Sequence, residues 1–557
     1  FQHISMPDLE INGVEMENGV GRSDSLKAEE ANALREWDPK HLLKALYEIS
    51  YEPRVETKRN RFVTMEGHVE VPADEVTKSD GLDNEGWMKQ YIRMKEGRLQ
   101  IFASHYAGEA PAQELVLSGA DVDANKDERT LTIHGGREHV KYYCRVPSAV
   151  FDKWRQSFLS HCASSLIDAY VKPIPRAFQH LTERILILEL GSCSIRAGVL
   201  TTEPSLPQSF FPAIAVRTDD GKIFVGEDAY RPEIRHNGDF VRPISATDPS
   251  VERYSIDKDV LKAVIGKVTK ELKVEPWKYK VLLSIPQNIP TVLIGELLQI
   301  CLEDIKFQSA GITRQPSLIL YAYDVTTGVV VDIGERVNIV PVIDGYVVES
   351  AICSIPYGSQ QMGDSLRASL SAHNKGLYAF QSPVEKLILR FALEQTTYVP
   401  EDYQKEEKSE NKETRISLDA FTPSPGMQTR FDIDNSRFLC TEGLFKPKKW
   451  GLDTKGLHQL IHEAILQCPI DSRRTLYRNI YLAGGASLMP GIAEKLEQEL
   501  STVVPNTIHT QVNISPWRYN AAYLGAQIVA SASTFEDSCI SLQQLPKFLA
   551  QLQSSSF

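Results

Sequence analysis

The feature that most limits what this 557-residue chain can fold into is a short pattern that occurs twice. Residues 185–191 are an apolar run that ends in Glu189, one further apolar residue and a glycine. Residues 329–334 repeat this arrangement with Asp332 as the acid, and a second apolar run follows. Apolar runs of this length between turn residues predict buried strands. Two such hairpins, about one domain-half apart, predict two similar α/β lobes that face a common cleft.

The two hairpins carry the groups that a phosphate site needs. Backbone N–H groups at a tight turn can surround phosphate oxygens, and a glycine such as Gly191 or Gly334 lets the backbone approach closely. A carboxylate on the adjoining strand, Glu189 or Asp332, can hold Mg²⁺ directly or through water. An ordinary β-hairpin with a buried acid explains either pattern alone equally well, because glycine turns are common.

A third element lies toward the C-terminus. Residues 480–487 predict a strand that runs through Gly484 and Gly485 toward a helix, with Pro490 in its first turn, where no N–H partner is lost. Paired glycines let a flat base or ribose lie against the backbone, and the N-terminus of a helix favours anionic groups. A glycine pair before a helix does not by itself establish a nucleotide site.

In this order the three elements resemble the actin and sugar-kinase family of nucleotide-binding folds, and the details resemble actin itself. The matching segments are AGGASLMPGI at 483–492, CPIDSRRTLYRN at 468–479, LGAQIVASASTF at 524–535, VGEDA at 225–229 and LYAYDVTTG at 320–328. The resemblance runs from about residue 185 to residue 541. It implies an α/β, actin-like two-lobed ATPase fold with ribonuclease-H-like duplicated lobes over residues 180–545. It also implies a site for ATP or ADP with Mg²⁺.

The resemblance further implies roles for individual residues. Gln315 stands where the family positions a water for attack on the γ-phosphate, although a polar or helix-capping role explains it as well. Arg196 stands where actin has a phosphate-reaching lysine, and it offers a planar fork in place of a point charge. The implied nucleotide contacts are Glu189, Gly191, Ser192, Arg196, Asp332, Gly334, Arg336, Glu394, Gly484, Gly485 and Ser487. Of these, Glu189 and Asp332 are implied to meet Mg²⁺ through water.

The chain departs from the family pattern around both turns. Cys193 and Arg336 replace glycines, and a catalytic histidine is replaced by Asn338 or lost. Leu393 replaces the basic residue that precedes Glu394. Because phosphoryl transfer depends on positioning and electrostatics, these changes are compatible with nucleotide binding but predict slow or absent hydrolysis. Only residues 218–223 stand where actin has a long mobile loop, so we do not expect actin-like homopolymers.

Residues 56–172 predict a separate β-rich module. Residues 88–95 alternate basic and apolar side chains, which predicts a strand with Lys89 and Arg93 on one face. A hairpin across a glycine pair follows at 130–146, and then a helix with Trp154 on its apolar stripe. This arrangement resembles the pleckstrin-homology (PH) fold. Lys89 and Arg93 are then candidates for phosphoinositide contact, but the loop 73–85 is acidic, which favours a protein partner.

The remaining segments and the composition narrow the function classes. Residues 1–55 predict a mostly disordered acidic tail with one amphipathic stretch at 34–49, residues 401–428 a surface insertion, and residues 546–557 a second tail. The net charge of −12 argues against general nucleic-acid binding. The most apolar stretch, 281–301, contains two prolines and a glutamate, so no membrane span is expected. Eight cysteines without metal-ligand spacing predict reduced thiols in the cytosol or nucleus.

These observations favour a divergent actin-related scaffold or adaptor over a rapid enzyme. We expect a cytoplasmic protein of a cytoskeletal or membrane-trafficking assembly, with the PH-like module recruiting a protein or phosphoinositide partner. A slow ATPase switch is the enzymatic alternative, supported by Gln315 and both acids. A nuclear actin-related subunit of a chromatin-remodelling complex is the third alternative, which the acidic charge allows but which a PH-like module does not favour.

Overall fold

A computed structural model describes most of the chain. The described residues are 31–49, 65–72, 86–95, 97–103, 111–117, 120–136, 139–162, 184–201, 205–248, 253–323, 325–355, 357–374, 378–409, 413–505, 508, 510–515 and 517–554. Residues 171–182, which precede the first hairpin, the whole acidic loop 73–85 and most of the N-terminal tail lie outside these residues.

The N-terminal module is one seven-stranded antiparallel sheet with a helix packed against it. Across the sheet the strands are Gln113–Val116, Arg98–Phe102, Trp87–Lys95, Met65–Pro72, Val140–Arg145, Thr130–Gly135 and Ala120–Asn125. The predicted hairpin is confirmed, since Gly135 lies opposite Val140 and the turn glycines have positive φ angles. The helix Phe151–Cys162 follows, and its Trp154 is buried against the sheet.

The first lobe is built on a mixed six-stranded sheet. Its strands, in order across the sheet, are Ser209–Pro212, Ser194–Val199, Ile185–Leu190, Lys280–Ile285, Ser309–Arg314 and Ile540–Ser541. The central strand Ile185–Leu190 is buried along its whole length, because helices and loops cover both faces of the sheet. The outer part of the first lobe contains a small sheet of Ile223–Val225, Ala215–Thr218 and Gly238–Val241. It also contains the paired strands Ile244–Asp248 and Arg253–Ile256.

The second lobe repeats the plan of the first. Its sheet has the order Tyr346–Val347, Val337–Ile343, Gly328–Ile333, Ile480–Ala483 and Val512–Asn513, with Cys353–Ile355 also paired to Val337–Ile343. The outer part carries the hairpin Thr414–Ser417 and Arg430–Ile433. In each lobe an antiparallel hairpin is joined to a parallel strand, so the predicted pair of α/β lobes is confirmed.

Helices cover both lobes and connect their strands. Besides a helical stretch at 31–36, the α-helices of the described residues are Lys40–Leu46, Phe151–Cys162, Pro232–Arg235, Lys258–Glu271, Thr291–Gln299, Gln315–Ala322, Ser359–His373, Pro383–Thr396, Tyr403–Glu407, Ser436–Glu442, Leu457–Leu466, Ile470–Arg478, Ile492–Val503, Ala521–Ala530, Phe535–Ser538 and Leu545–Ser554. A π-helical segment, Ile300–Asp304, continues Thr291–Gln299. Within the part of the chain that the structure describes, no helix is both long and apolar enough to cross a membrane.

Three segments predicted as tails or as a surface insertion contain ordered elements. The predicted second tail, 546–557, includes all but the first residue of the helix Leu545–Ser554, which packs against Thr291–Gln299. In the N-terminal tail, the described residues 31–49 include the helix Lys40–Leu46 and pack against both lobes. The predicted insertion 401–428 includes the helix Tyr403–Glu407 and the strand Thr414–Ser417, and Tyr403 is buried. Residues 218–223 form a tight turn, in which the Thr218 amide donates to the Lys222 carbonyl.

Candidate functional site

The first turn places an acid and a base opposite each other. Glu189 and Arg196 are cross-strand neighbours, and Arg196 Nη1 donates to Glu189 Oε1 at 2.8 Å. Both side chains are less than one tenth exposed, at 7% and 8%. Burial raises the pKa of Glu189, and the positive charge of Arg196 opposes that rise. The other carboxylate oxygen of Glu189 has no hydrogen-bond partner among the described residues.

Two aromatic rings hold the Arg196 guanidinium in place. Its central carbon lies 4.7 Å from the ring centroid of Phe210 and 4.6 Å from that of Tyr519. Its Nε also donates to the side chain of Asn520 at 3.1 Å. A cation between two ring faces is stabilised by their quadrupoles. Arg196 is therefore fixed by groups from both sides of the cleft.

The second turn has the same backbone hydrogen bond with a different electrostatic balance. The Gly334 amide donates to the Arg336 carbonyl at 3.0 Å, as the Gly191 amide donates to the Ser194 carbonyl in the first turn. The cross-strand neighbour of Asp332 is Asn338, which carries no charge. Burial, together with the negative charge of Glu189, raises the pKa of Asp332 to about 6.

The Arg336 side chain is directed toward the first lobe. Its guanidinium carbon lies 6.0 Å from the ring centroid of Tyr254. The cation that lies between the two turns is instead Arg242. Its Nη1 donates to the Ser192 carbonyl at 3.3 Å and lies 3.4 Å from both carboxylate oxygens of Glu335. Arg242 therefore links the first turn to the second.

The paired glycines of the third element contact the second turn directly. Gly484 has a φ of 84°, and a Cβ atom there would lie 2.4 Å from Asp332 Oδ1. A Cβ atom on Gly485 would lie 3.3 Å from the Tyr519 ring, so this ring covers the glycine surface. The hydroxyl of Ser487 donates to the Gly484 carbonyl at 2.6 Å. The glycines of the third element are thus in close contact with Asp332 and Tyr519 of the same chain.

Two further predicted residues line the same region. Gln315 begins its helix, and its Nε2 donates to the Leu190 carbonyl next to the first turn at 3.1 Å. Glu394 accepts from Arg390 Nε at 2.7 Å, one helical turn earlier. Arg390 also lies 3.4 Å from the hydroxyl of Tyr519. Both residues therefore make protein contacts in the described structure.

The structure brings the predicted cleft residues into one region and adds three that sequence reasoning missed. The missed residues are Arg242, Arg390 and Tyr519. The spacing of Arg390 and Glu394, four residues apart on a predicted helix, is a signal that could have identified that pair. The contacts of Arg242 and Tyr519 join residues about 50 to 325 positions apart, and no local pattern predicts them.

A Mg²⁺-nucleotide of the family type does not fit these residues as they are arranged. Three arginines near the turns, Arg196, Arg242 and Arg390, are each paired with a carboxylate, and the Arg336 guanidinium is directed toward Tyr254. The ring of Tyr519 covers the glycine platform expected to meet the nucleoside. Among the described residues, no group of three or more His, Cys, Asp or Glu side chains is positioned to hold a metal ion. The Oε2 atom of Glu189, buried and without a hydrogen-bond partner among the described residues, is a single oxygen and does not by itself make a metal site.

The two candidate lipid contacts lie apart from the cleft, on the sheet of the N-terminal module. Lys89 is exposed, whereas Arg93 Nε is 2.6 Å from a carboxylate oxygen of Glu66 on the neighbouring strand. On the same sheet, Arg145 Nε is 2.6 Å from Glu70. Two arginines of this sheet are therefore compensated by acids. Three further basic residues, Lys58, Arg59 and Arg61, lie outside the described residues.

Comparison with known proteins agrees with the two-lobed architecture. Residues 181–545 match the family model for actin. An actin-like protein from Neurospora crassa is 29% identical over 370 residues, which cover 64% of this chain and 94% of the relative. The matched range begins just before the first hairpin and ends at the first residue of the last helix, so it includes both turns and the paired glycines.

Proposed function

The chain belongs to the actin family, and from this premise we propose that it acts as a scaffold or adaptor and not as a rapid ATPase. The assembly we propose for it is a cytoskeletal or membrane-trafficking complex in the cytoplasm. The observation that supports this most directly is the set of three arginine–carboxylate pairs in the cleft. These pairs satisfy the cations that phosphoryl transfer would need.

The free energies involved favour a closed, non-catalytic cleft. Removing one partner from a buried ion pair costs about 3 to 5 kcal/mol, since the other charge is left unsolvated. A phosphate that recruited Arg196 would have to compete with Glu189 for the same guanidinium, in a site where both are buried. Catalysis of phosphoryl transfer depends on cations that are free and already oriented. The pairing in this cleft orients these arginines but does not leave them free.

Members of the actin family generally bind ATP or ADP with Mg²⁺. We propose that any nucleotide bound by this chain has a structural role and requires Arg196 and Tyr519 to move. Gln315, the residue for water positioning, is in contact with the Leu190 carbonyl. Hydrolysis is therefore expected to be slow even in a nucleotide-loaded state.

We propose that the N-terminal module is a PH-like recruitment domain that prefers a protein partner to a phosphoinositide. A sheet of seven antiparallel strands with one C-terminal helix supports this. The compensation of Arg93 by Glu66 and of Arg145 by Glu70 lowers the positive charge that this sheet offers to an anionic headgroup. The short turn at 218–223 similarly supports a chain that does not form actin-like homopolymers.

The test is Mg²⁺-ATP binding and turnover by the full chain. We expect weak binding and no multiple-turnover release of phosphate. The Arg336→Gly variant is expected to behave as the parent, because the Arg336 guanidinium lies near Tyr254. The Tyr519→Ala variant, which uncovers Gly485, is expected to bind the nucleotide more tightly. Multiple turnovers by the parent would contradict the scaffold proposal and establish the ATPase alternative.

A further inference from the structure

Residues 31–49, the N-terminal strap, carry large apolar side chains that are fully withdrawn from solvent. Trp37 is 1% exposed, and Leu42 and Leu43 are 0% and 1% exposed. The strap precedes both the sheet module and the two lobes in the chain, so its burial is not a consequence of the family fold. Its apolar side chains pack against both lobes.

On one side the strap is bound to the first lobe. Arg235 Nη2 donates to the Trp37 carbonyl at 2.7 Å, and His236 Nε2 lies 3.0 Å from the Arg35 carbonyl. The helix Lys40–Leu46 also packs against the 3₁₀ turn Gly226–Tyr230 of the same lobe. These contacts all involve the small outer part of the first lobe.

On the other side the strap is bound to the second lobe. The indole Nε1 of Trp37 donates to the Thr422 carbonyl at 3.1 Å. Arg390 Nη2 lies 3.4 Å from the Leu46 carbonyl, and the strap helix packs against Pro383–Thr396. The outer parts of both lobes are therefore attached to one short segment.

Apolar packing joins the same three partners into a single core. This core unites the strap with side chains of both outer parts. From the strap it includes Leu34, Trp37, Leu42, Leu43, Leu46 and Tyr47; from the first lobe Val216, Ala229, Tyr230 and Ile234; and from the second lobe Val384, Leu387, Ile388 and Phe431. Opening the lobes at this point would expose apolar surface on both sides, which is unfavourable in water.

The end of the strap reaches the first turn of the cleft. The hydroxyl of Tyr47 donates to the Cys193 carbonyl at 3.3 Å, and its ring lies 5.1 Å from that of Phe210. The guanidinium carbon of Arg390 lies 4.5 Å from the centroid of the Tyr47 ring. Tyr47 thus fills the space between the first turn and the helix that carries Glu394.

We propose that the N-terminal strap is an intramolecular clamp that holds the two lobes closed without a nucleotide. A segment that contacts both lobes only when they are close together stabilises the closed arrangement by those contacts. Because the segment belongs to the same chain, it acts at a high effective concentration. The inference rests on the described contacts and does not depend on the proposed scaffold role.

The test is hydrogen exchange on the full chain, comparing the parent with Trp37→Ala. In the variant we expect exchange in 226–235 and 383–396 to rise by about tenfold or more, while the central strands at 185–190 and 328–333 keep their protection. The matched control is Trp277→Ala, because Trp277 lies in the first lobe but is 61% exposed. This control is expected to leave the exchange of both outer parts unchanged.

Two further measurements keep the proposal open to refutation. Arg235→Gln removes donors to the strap carbonyls without creating a cavity, and a rise confined to the same two outer parts is expected. Removing divalent cations with EDTA, or adding Mg²⁺-ATP, should not change the parent's protection. Unchanged protection in Trp37→Ala and Arg235→Gln would overturn the clamp. So would a parent whose outer parts become protected only when Mg²⁺-ATP is present.

Discussion

The two turns of the cleft are closed by similar backbone hydrogen bonds, but the acids beside them have cross-strand neighbours of different charge. In each, a glycine amide closes the turn by donating to a carbonyl two or three residues later, at 3.0 Å. The acid before the first turn lies opposite Arg196 and is paired with it, whereas Asp332 lies opposite the neutral Asn338. The repeated hairpin therefore determines where the two carboxylates lie, and the cross-strand neighbour determines whether the negative charge of each is compensated.

The largest expected effect comes from breaking the compensated turn. Arg196→Met leaves Glu189 buried without its partner, and we expect the free energy of unfolding to fall by about 3 to 4 kcal/mol in urea denaturation. The control is Arg415→Met, which removes an equivalent cross-strand pair with Asp432 that is 60% and 42% exposed. An exposed pair contributes about 0.5 kcal/mol.

A double variant distinguishes charge from packing at the same position. Adding Glu189→Gln to Arg196→Met removes the buried negative charge, so most of the lost stability is expected to return. If the double variant is no more stable than the single one, the stacking of Arg196 between Phe210 and Tyr519 matters more than the ion pair.

The next effect tests the close approach of the third element to the second turn. Gly484→Ala places a Cβ atom 2.4 Å from the Asp332 carboxylate at a φ of 84°, and we expect a loss of about 2 to 3 kcal/mol. Gly426→Ala is the control, because Gly426 has the same φ and no atom within 4 Å of a Cβ atom. It is expected to cost about 1 kcal/mol. Equal losses would show that the backbone angle alone matters.

At the second turn, removing a charge is expected to raise the free energy of unfolding, whereas at the first turn it lowers it. The pKa of Asp332 is raised from 3.8 to about 6, so the folded chain binds a proton that the unfolded chain releases between these values. The free energy of unfolding therefore falls as the pH rises through this window. Asp332→Asn is expected to raise it by about 1 to 2 kcal/mol at pH 8 and hardly at all at pH 4.

The control for this pH dependence is Asp239→Asn, an exposed position on a strand of the first lobe. Denaturation of both variants at pH 4 and pH 8 provides the comparison. A gain in Asp332→Asn that is equal at the two pH values would show that the carboxylate of Asp332 has an ordinary pKa.

The smallest effect compares the two turn glycines directly. A Cβ atom on Gly191 would lie 2.7 Å from the Ser194 carbonyl oxygen, whereas on Gly334 the nearest atom would be 3.7 Å away. We expect Gly191→Ala to lower the thermal midpoint, with a loss of about 1 kcal/mol, and Gly334→Ala to be nearly neutral. The reverse order would mean that the second turn, which is one residue shorter, is the tighter one.

Much of the fold was predictable because it depends on neighbours along the chain. The hairpins at 185–199 and 329–343, the glycine turns and the helix after the paired glycines follow from apolar periodicity and turn chemistry. The hairpin of the N-terminal module at 130–145 was predicted for the same reason. Each of these elements depends on residues that are close together in the sequence, so the sequence alone is enough to predict it.

The sequence by itself thus determined two α/β lobes, two acid-bearing turns and a glycine pair between strand and helix. Only the tertiary structure decided how those groups are used. It paired Arg242 with Glu335, placed Tyr519 over Gly485, and brought Tyr47 to the first turn. The physical reason is distance along the chain: such contacts form only when the folded backbone brings the two lobes and the N-terminal strap together, and no local pattern encodes them.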